Sequence, residues 1–312
     1  MNSIEMYFLN YRFIVSAEAG ILKRFSKFWF PFLSTPNKYD KFIEWKIHFF
    51  CGKETRTEVN QEDKEIIHYS NSVCQLTELN NLFREAVVKI TALHGIVWLH
   101  CSAISHNGEA IIFLGNKGDG KTTLLLNYLK DKGNVFIGND QLPVFLKNGQ
   151  LCTLCWRPDI KIQSTTEKDV KELVIVQHKD LSFIDFDKMS KRIGKKITSS
   201  NNNFNLNFKA NEIYPIHQIV VLNDNQVIEH CKYNWFIEKI DKDGECVLAY
   251  KLKNLAKYMS YWNKRIVGLN VYTEAEKVNK NILNACKSID LMCIGNRLDF
   301  NIVKKALEKR EK

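Results

Sequence analysis

Long apolar runs are missing from this chain of 312 residues. Apolar runs such as residues 110–114 and 219–222 fall far short of the roughly 18 residues a membrane-spanning helix needs, so a soluble protein is expected. Proline is scarce, at 5, and glycine moderate, at 14, which excludes collagen-like and Pro/Gly-rich disordered classes. No opening segment combines a positive start, an apolar middle and a cleavage site. With an odd count of 9 cysteines, neither secretion nor a disulfide framework is expected, and a reducing cytoplasm is the default. No internal repeat is visible. Zinc-finger spacing and aromatic-interleaved RNA motifs are absent too, which argues against nucleic acid as the partner.

What is present is the composition of an ordinary globular protein, 45% hydrophobic and 26% charged. Lys and Arg number 45 against 35 Asp and Glu, a formal charge of +10, which favours acidic partners such as nucleotides or an acidic peptide. The excess is scattered, apart from Lys191, Arg192, Lys195 and Lys196 and the tail 304–312. Residues 5–50 are rich in aromatic and β-branched residues in short runs, notably 6–15 and 42–50, and read as strands and turns. Residues 79–93 change period: Leu82, Phe83, Ala86, Val87, Ile90 and Leu93 recur at helical spacing, with Asn80 or Asn81 as cap. A β-rich accessory domain over 1–95, ending in this helix, followed by an α/β nucleotide-binding domain over 96–312, is the expected organisation.

Residues 96–104 and 109–114 read as strands joined by Asn107-Gly108, a strong hairpin signal. The second strand runs directly into Gly115-Asn116-Lys117-Gly118-Asp119-Gly120-Lys121-Thr122, which satisfies the phosphate-loop pattern G-x-x-x-x-G-K-[ST]; these residues and Thr123 are expected to bind the nucleotide, and a helix is expected over 122–130. Glycines let successive N–H groups turn onto phosphate oxygens, and the positive end of the helix faces the same anions. Lys121 would reach the β- and γ-phosphates and the Thr122 hydroxyl would ligate Mg2+, with ATP as the expected nucleotide. Phosphoryl transfer to a hydroxyl also needs a proton acceptor and a further acidic contact to the metal. Asp140 is the candidate for both, since it closes a short strand, residues 135–138, expected beside the loop. Further short strands are expected over 143–162 and 216–223, a strand over 247–252, helices over 254–262 and 274–287, and a mobile substrate-holding loop over 191–207.

These residues resemble a family. His100-Cys101-Ser102-Ala103, the hairpin, the strand into Gly115, Gly120-Lys121-Thr122 and Gly138-Asn139-Asp140 look like the catalytic core of HPr kinase-like proteins, and residues 157–162 and 214–222 look like its later strands. The resemblance covers about residues 94–305. It implies the mixed sheet of the HPr kinase and phosphoenolpyruvate carboxykinase type, oligomer formation, and transfer of a γ-phosphate to a serine of a peptide or small protein. It is closest in character to the stand-alone kinases of lasso-peptide biosynthesis. His100 carries over as a residue near the reacting phosphate, with Arg157 and Lys161 as charge-neutralising contacts. The chain departs from the family at Asn139, where the first acidic residue of a pair is usual, and at Lys117, where a small residue is more frequent. It also lacks a downstream Glu-x-Arg-Gly segment, which argues against HPr itself as substrate. A small-molecule acceptor, or a nucleotide-responsive binding protein with little transfer, are the alternative readings. Cys152 and Cys155 form a lone C-x-x-C in an apparent strand and read as structural. The six-residue spacing of His94, His100 and His106 reads as chance, and the aromatic stretch 25–32 as core or interface packing.

Overall fold

Leu9, in the left-handed region at φ 53°, and Asn10 reverse the chain, so that β1 (Asn2–Phe8) pairs antiparallel with β2 (Tyr11–Ala17), Phe8 opposite Tyr11. The computed structural model describes residues 1–29, 32–33, 41–115, 120–129, 133–139, 141–156, 159–161, 196–198, 211–223, 229–231, 265–266, 269 and 289–295. They form a mixed α/β protein of two compact units, Met1–Ile96 with Asn254–Val278, and Val97–Lys253 with Asn279–Lys312.

In the first unit, α1 (Ala19–Trp29) follows β2. This helix corrects the expectation of strands and turns throughout 5–50. Its buried residues Ile21, Leu22, Phe25 and Trp29 fall at helical spacing, and the bulky side chains that suggested strand fill one stripe of it. Then come β3 (Ile43–Cys51), β4 (Arg56–Asn60) and β5 (Glu65–Ser70). Both β2 with β3 and β3 with β5 are parallel, β4 and β5 are antiparallel, and the five-stranded order is β1-β2-β3-β5-β4. Alternation along β3 turns Trp45, Ile47 and Phe49 inward, the period of a half-buried strand. The next helix, α2 (Gln75–Ala92), begins five residues before Asn80, and Cys74 stands at its start without a side-chain cap. Asn80 is therefore not a cap. It is buried and accepts a 2.8 Å hydrogen bond from Trp29 Nε1. Phe83 is the hub of this core, meeting Phe13, Phe25 and Trp29 edge-on at 5.7, 5.4 and 5.1 Å between ring centres.

A second face of α2 is polar yet buried. Glu85 Oε1 accepts the backbone N–H groups of Arg265 and Ile266 at 3.1 and 2.8 Å and stands 3.6 Å from Lys89 Nζ, while Lys89 donates to the Ile266 carbonyl. Arg265 grips Glu78 with two hydrogen bonds of 2.8 and 3.0 Å. His68, fully buried on β5, stands 3.6 Å from Glu78 on its Nε2 side and 2.7 Å from the Thr57 hydroxyl on its Nδ1 side. His68 first, then Arg265, hold the Glu78 carboxyl down at about 2 against the upward push of burial. Burial pushes the Lys89 ammonium down, and Glu85 opposes it.

The second unit starts with β6 (Val97–Leu99), β7 (Cys101–His106) and β8 (Glu109–Leu114). The expected single strand 96–104 is broken at His100, because β6 pairs with a different partner from β7. Asn107 and Gly108, at φ 51° and 85°, make the tight turn in which both central residues need positive φ. Next are α3 (Lys121–Tyr128), β9 (Val135–Asn139), β10 (Leu142–Lys147) and β11 (Gln150–Leu154). Asn148 and Gly149, at φ 52° and 78°, turn β10 into β11 in the same way. Then follow β12 (Asp159–Lys161), β13 (Lys196–Thr198), β14 (Ile213–Asn223), β15 (Glu229–Cys231) and β16 (Asp290–Gly295).

The nine-stranded sheet runs β6-β10-β11-β14-β8-β7-β9, with β16 on β14 and β15 on β16. β14 is shared: its first residues pair antiparallel with β11, and from Ile216 onward it runs parallel to β8 and, from Gln218, to β16. β12 and β13 pair with each other. Lys196–Thr198 is thus a strand within the segment 191–207 expected as a loop, and the rest of that segment lies outside the described residues. The expected strand 247–252 and helices 254–262 and 274–287 lie outside them as well. No helix among the described residues is long and apolar enough to cross a membrane.

Candidate functional site

β8 is buried from Ala110 to Leu114, flanked by β7 antiparallel and β14 parallel. Its C-terminal end delivers Gly115 to one edge of the sheet, and α3 begins at Lys121. Gly120 precedes the helix at φ 88°, the left-handed region. Only glycine adopts that torsion without steric cost, so the last glycine of the segment is needed where the chain turns into the helix. The Gly120 carbonyl accepts the Leu124 N–H at 2.9 Å, the first turn of α3. At the far end Asn134 donates to the Tyr128 carbonyl at 2.7 Å and stands 2.7 Å from His106 Nδ1 on β7, tying α3 to the sheet.

Lys121 is buried, 8% exposed, and its Nζ donates to the Gly115 carbonyl at 3.0 Å. That bond ties the first turn of α3 to the end of β8. Thr122, next on the helix, donates from Oγ1 to Asn139 Oδ1 at 3.3 Å. The same oxygen receives the Ser102 hydroxyl at 2.8 Å. The register explains the meeting. Ser102 on β7 stands opposite Phe113 of β8 on one side and Asn139 of β9 on the other, so Asn139 and the end of β8 reach the same edge of the sheet. Gly138 permits the close approach of the Leu142 side chain, since a Cβ on it would lie 2.8 Å from Leu142 Cδ1.

Of the residues singled out from the sequence, Gly115, Gly120, Lys121, Thr122 and Thr123 converge at this edge. His100 is the bend between β6 and β7, one residue before the Cys101–Leu114 pair, and so reaches the same edge. Lys161 is in β12, opposite Lys196. Asn116, Lys117, Gly118, Asp119, Asp140 and Arg157 lie outside the described residues, although the chain neighbours of Asp140, Asn139 and Gln141, are both buried at this edge. Ser102 is the residue that reasoning from the sequence passed over. Its signal was weak: a serine two residues after His100 gains meaning only once β7 is known to sit between β8 and β9. Cys152, in the middle of β11, and Cys155, just past its end, are both buried, and burial pushes the Cys152 thiol up. Among the described residues no group of three or more His, Cys, Asp and Glu could hold a metal.

No family model matches the chain, and no curated protein matches it. Among solved structures, the HPr(Ser) kinase/phosphatase from Coxiella burnetii is similar at 11% identity, over 69% of this chain and 92% of that one, with a TM-score of 0.30. At that score the likeness carries no argument about activity.

Proposed function

We propose that this chain binds ATP at residues 115–122 and transfers its γ-phosphate to a hydroxyl, serine first, of a peptide or small protein. The observation that carries the reading is the hydrogen bond from Lys121 to the Gly115 carbonyl, where a buried strand ends and a helix whose first turn holds Thr122 begins. A glycine-rich segment between strand and helix, with a lysine at the start of the helix, is suited to offering backbone N–H groups and one ammonium to a polyphosphate. The described hydroxyl oxygen beside it, Thr122 Oγ1, is a hard donor that suits Mg2+, which is held by few protein ligands together with phosphate oxygens. Thr122 and Asp140 would hold it, and when bound it supplies charge neutralisation on the β- and γ-phosphates.

In the reaction proposed, the acceptor oxygen forms a bond to the γ-phosphorus while the bond from that phosphorus to the bridging oxygen breaks. ADP leaves with the electron pair. Asp140 takes the proton of the acceptor hydroxyl, Lys121 balances charge on the transferring group, and His100 stands at the same edge as a further phosphate contact. Arg157 and Lys161 are proposed as outer cations, and the family likened above, including its lasso-peptide kinases, supplies the class of acceptor.

The test is release of ADP from ATP with and without acceptor peptide. Release is expected only with the acceptor, lost in Lys121→Ala, and lost in Asp140→Asn with nucleotide binding kept. Full turnover by Lys121→Ala would overturn the reading. A second reading, a nucleotide-gated binding protein with little transfer, is favoured by one observation: the side chain against Thr122 is an uncharged amide, Asn139. It predicts ATP-dependent partner affinity with no ADP release.

A further inference from the structure

Two hydroxyls converge on one amide oxygen. Ser102 is fully buried and Asn139 is 4% exposed, and Asn139 Oδ1 accepts the Ser102 proton at 2.8 Å and the Thr122 proton at 3.3 Å. An amide oxygen has two lone pairs, and both are spent here. Asn139 therefore has no lone pair left for a cation. Thr122, its proton committed to Asn139, has only lone pairs to present on its other side. Had the amide been turned the other way, its N–H groups would donate to both hydroxyls, and the Thr122 proton would be free to point outward, repelling a cation.

We propose that Asn139 is not a metal ligand but the acceptor that orients the Thr122 hydroxyl toward a divalent cation, and that Ser102 is the positioning residue that holds the Asn139 amide in the required rotation. This rests on the nucleotide reading above. A carboxylate at this position would accept the same two protons and add a negative charge. The amide orients without charging, so the site gains its cation with the nucleotide rather than before it. Ser102 acts through Asn139, two strands from β8 across the pairing of β7 with β9, and touches neither nucleotide nor cation.

The experiment uses the full chain with ADP as nucleotide and Mn2+ as probe, bound Mn2+ being counted by electron paramagnetic resonance and ADP affinity measured by calorimetry with and without Mn2+. The readout is the ratio of the two ADP affinities within each variant. Wild type is expected to show a ratio well above one and little Mn2+ bound without ADP. Ser102→Ala should lower the ratio about fivefold, and Ser102→Thr, which keeps the hydroxyl, should restore it. Should Ser102→Ala fail to fold, Ser102→Cys, near in size and a weak donor, takes its place with the same expected loss. Asn139→Asp should bind Mn2+ without ADP at least tenfold more tightly than wild type. A ratio unchanged in the Ser102 variants, or no gain in Asn139→Asp, overturns the proposal while leaving nucleotide binding standing. Failure of wild type to bind ADP at millimolar concentration without metal is a different result, and it removes the nucleotide reading and this inference together.

Discussion

At the scale of single residues, the torsion at Gly120 and the charge on Lys121 matter most. Gly120 sits at φ 88° with open space around it, so a methyl group there meets no neighbour and its cost is purely conformational. Gly120→Ala is expected to destabilise the second unit by about 1–2 kcal/mol and to weaken nucleotide binding, checked by thermal unfolding with and without ADP. Glu85 is the most demanding residue of the first unit. Only 1% exposed, it satisfies two backbone N–H groups and stands beside the buried Lys89. Glu85→Ala leaves the two N–H groups without this acceptor and removes the carboxylate beside Lys89, and is expected to cost about 3–5 kcal/mol, whereas Glu85→Gln keeps an acceptor oxygen and should cost less. Urea unfolding of the two variants checks the order.

At the scale of elements, periodicity and turn chemistry account for what could be read in advance. Asn107-Gly108 announces the β7–β8 turn because type I′ geometry needs positive φ at both positions, and 79–93 announces α2 because its apolar residues repeat every three to four. α1 was hidden because Phe25, Phe28 and Trp29 belong to residue types enriched in strands, and an 11-residue helix leaves few turns in which to show a period. The length of α2 was hidden for another reason. Polar residues such as Glu85 and Lys89 are buried on it, so its second covered face carries no apolar signal. Phe83 joins α2 to α1 and to the sheet, and Phe83→Ala is expected to cost about 3–5 kcal/mol, measured by denaturant unfolding.

At the scale of the whole molecule, the chain returns at Arg265 and Ile266 to the unit that its first residues began. A chain ending at residue 253 lacks both, leaving Glu85 and Lys89 buried without those partners. It is expected to lose cooperative unfolding and to be cleaved faster by protease than the full chain. The same contacts predict an acid response. The Glu78 carboxyl lies near 2 in the folded protein against an ordinary 4.5, so its stabilising contribution is fully present above about 4.5 and drains away as pH falls toward 2. Unfolding midpoints measured from pH 5 to pH 2 should decline, and Glu78→Gln should flatten the decline.

The order of residues along the chain by itself determined the segment 115–122, the helix that follows it and the hairpin that leads to it, because glycine torsions, a lysine and a hydroxyl at fixed spacing are local requirements. Only the tertiary structure decided that Ser102, Thr122 and Asn139 share one oxygen, and that Glu78, Glu85 and Lys89 receive residues about 180 positions further along. The physical reason is that hydrogen-bond partners across a sheet are set by strand order and register. Those are chosen by burial of the whole core, and no short stretch of sequence contains that choice.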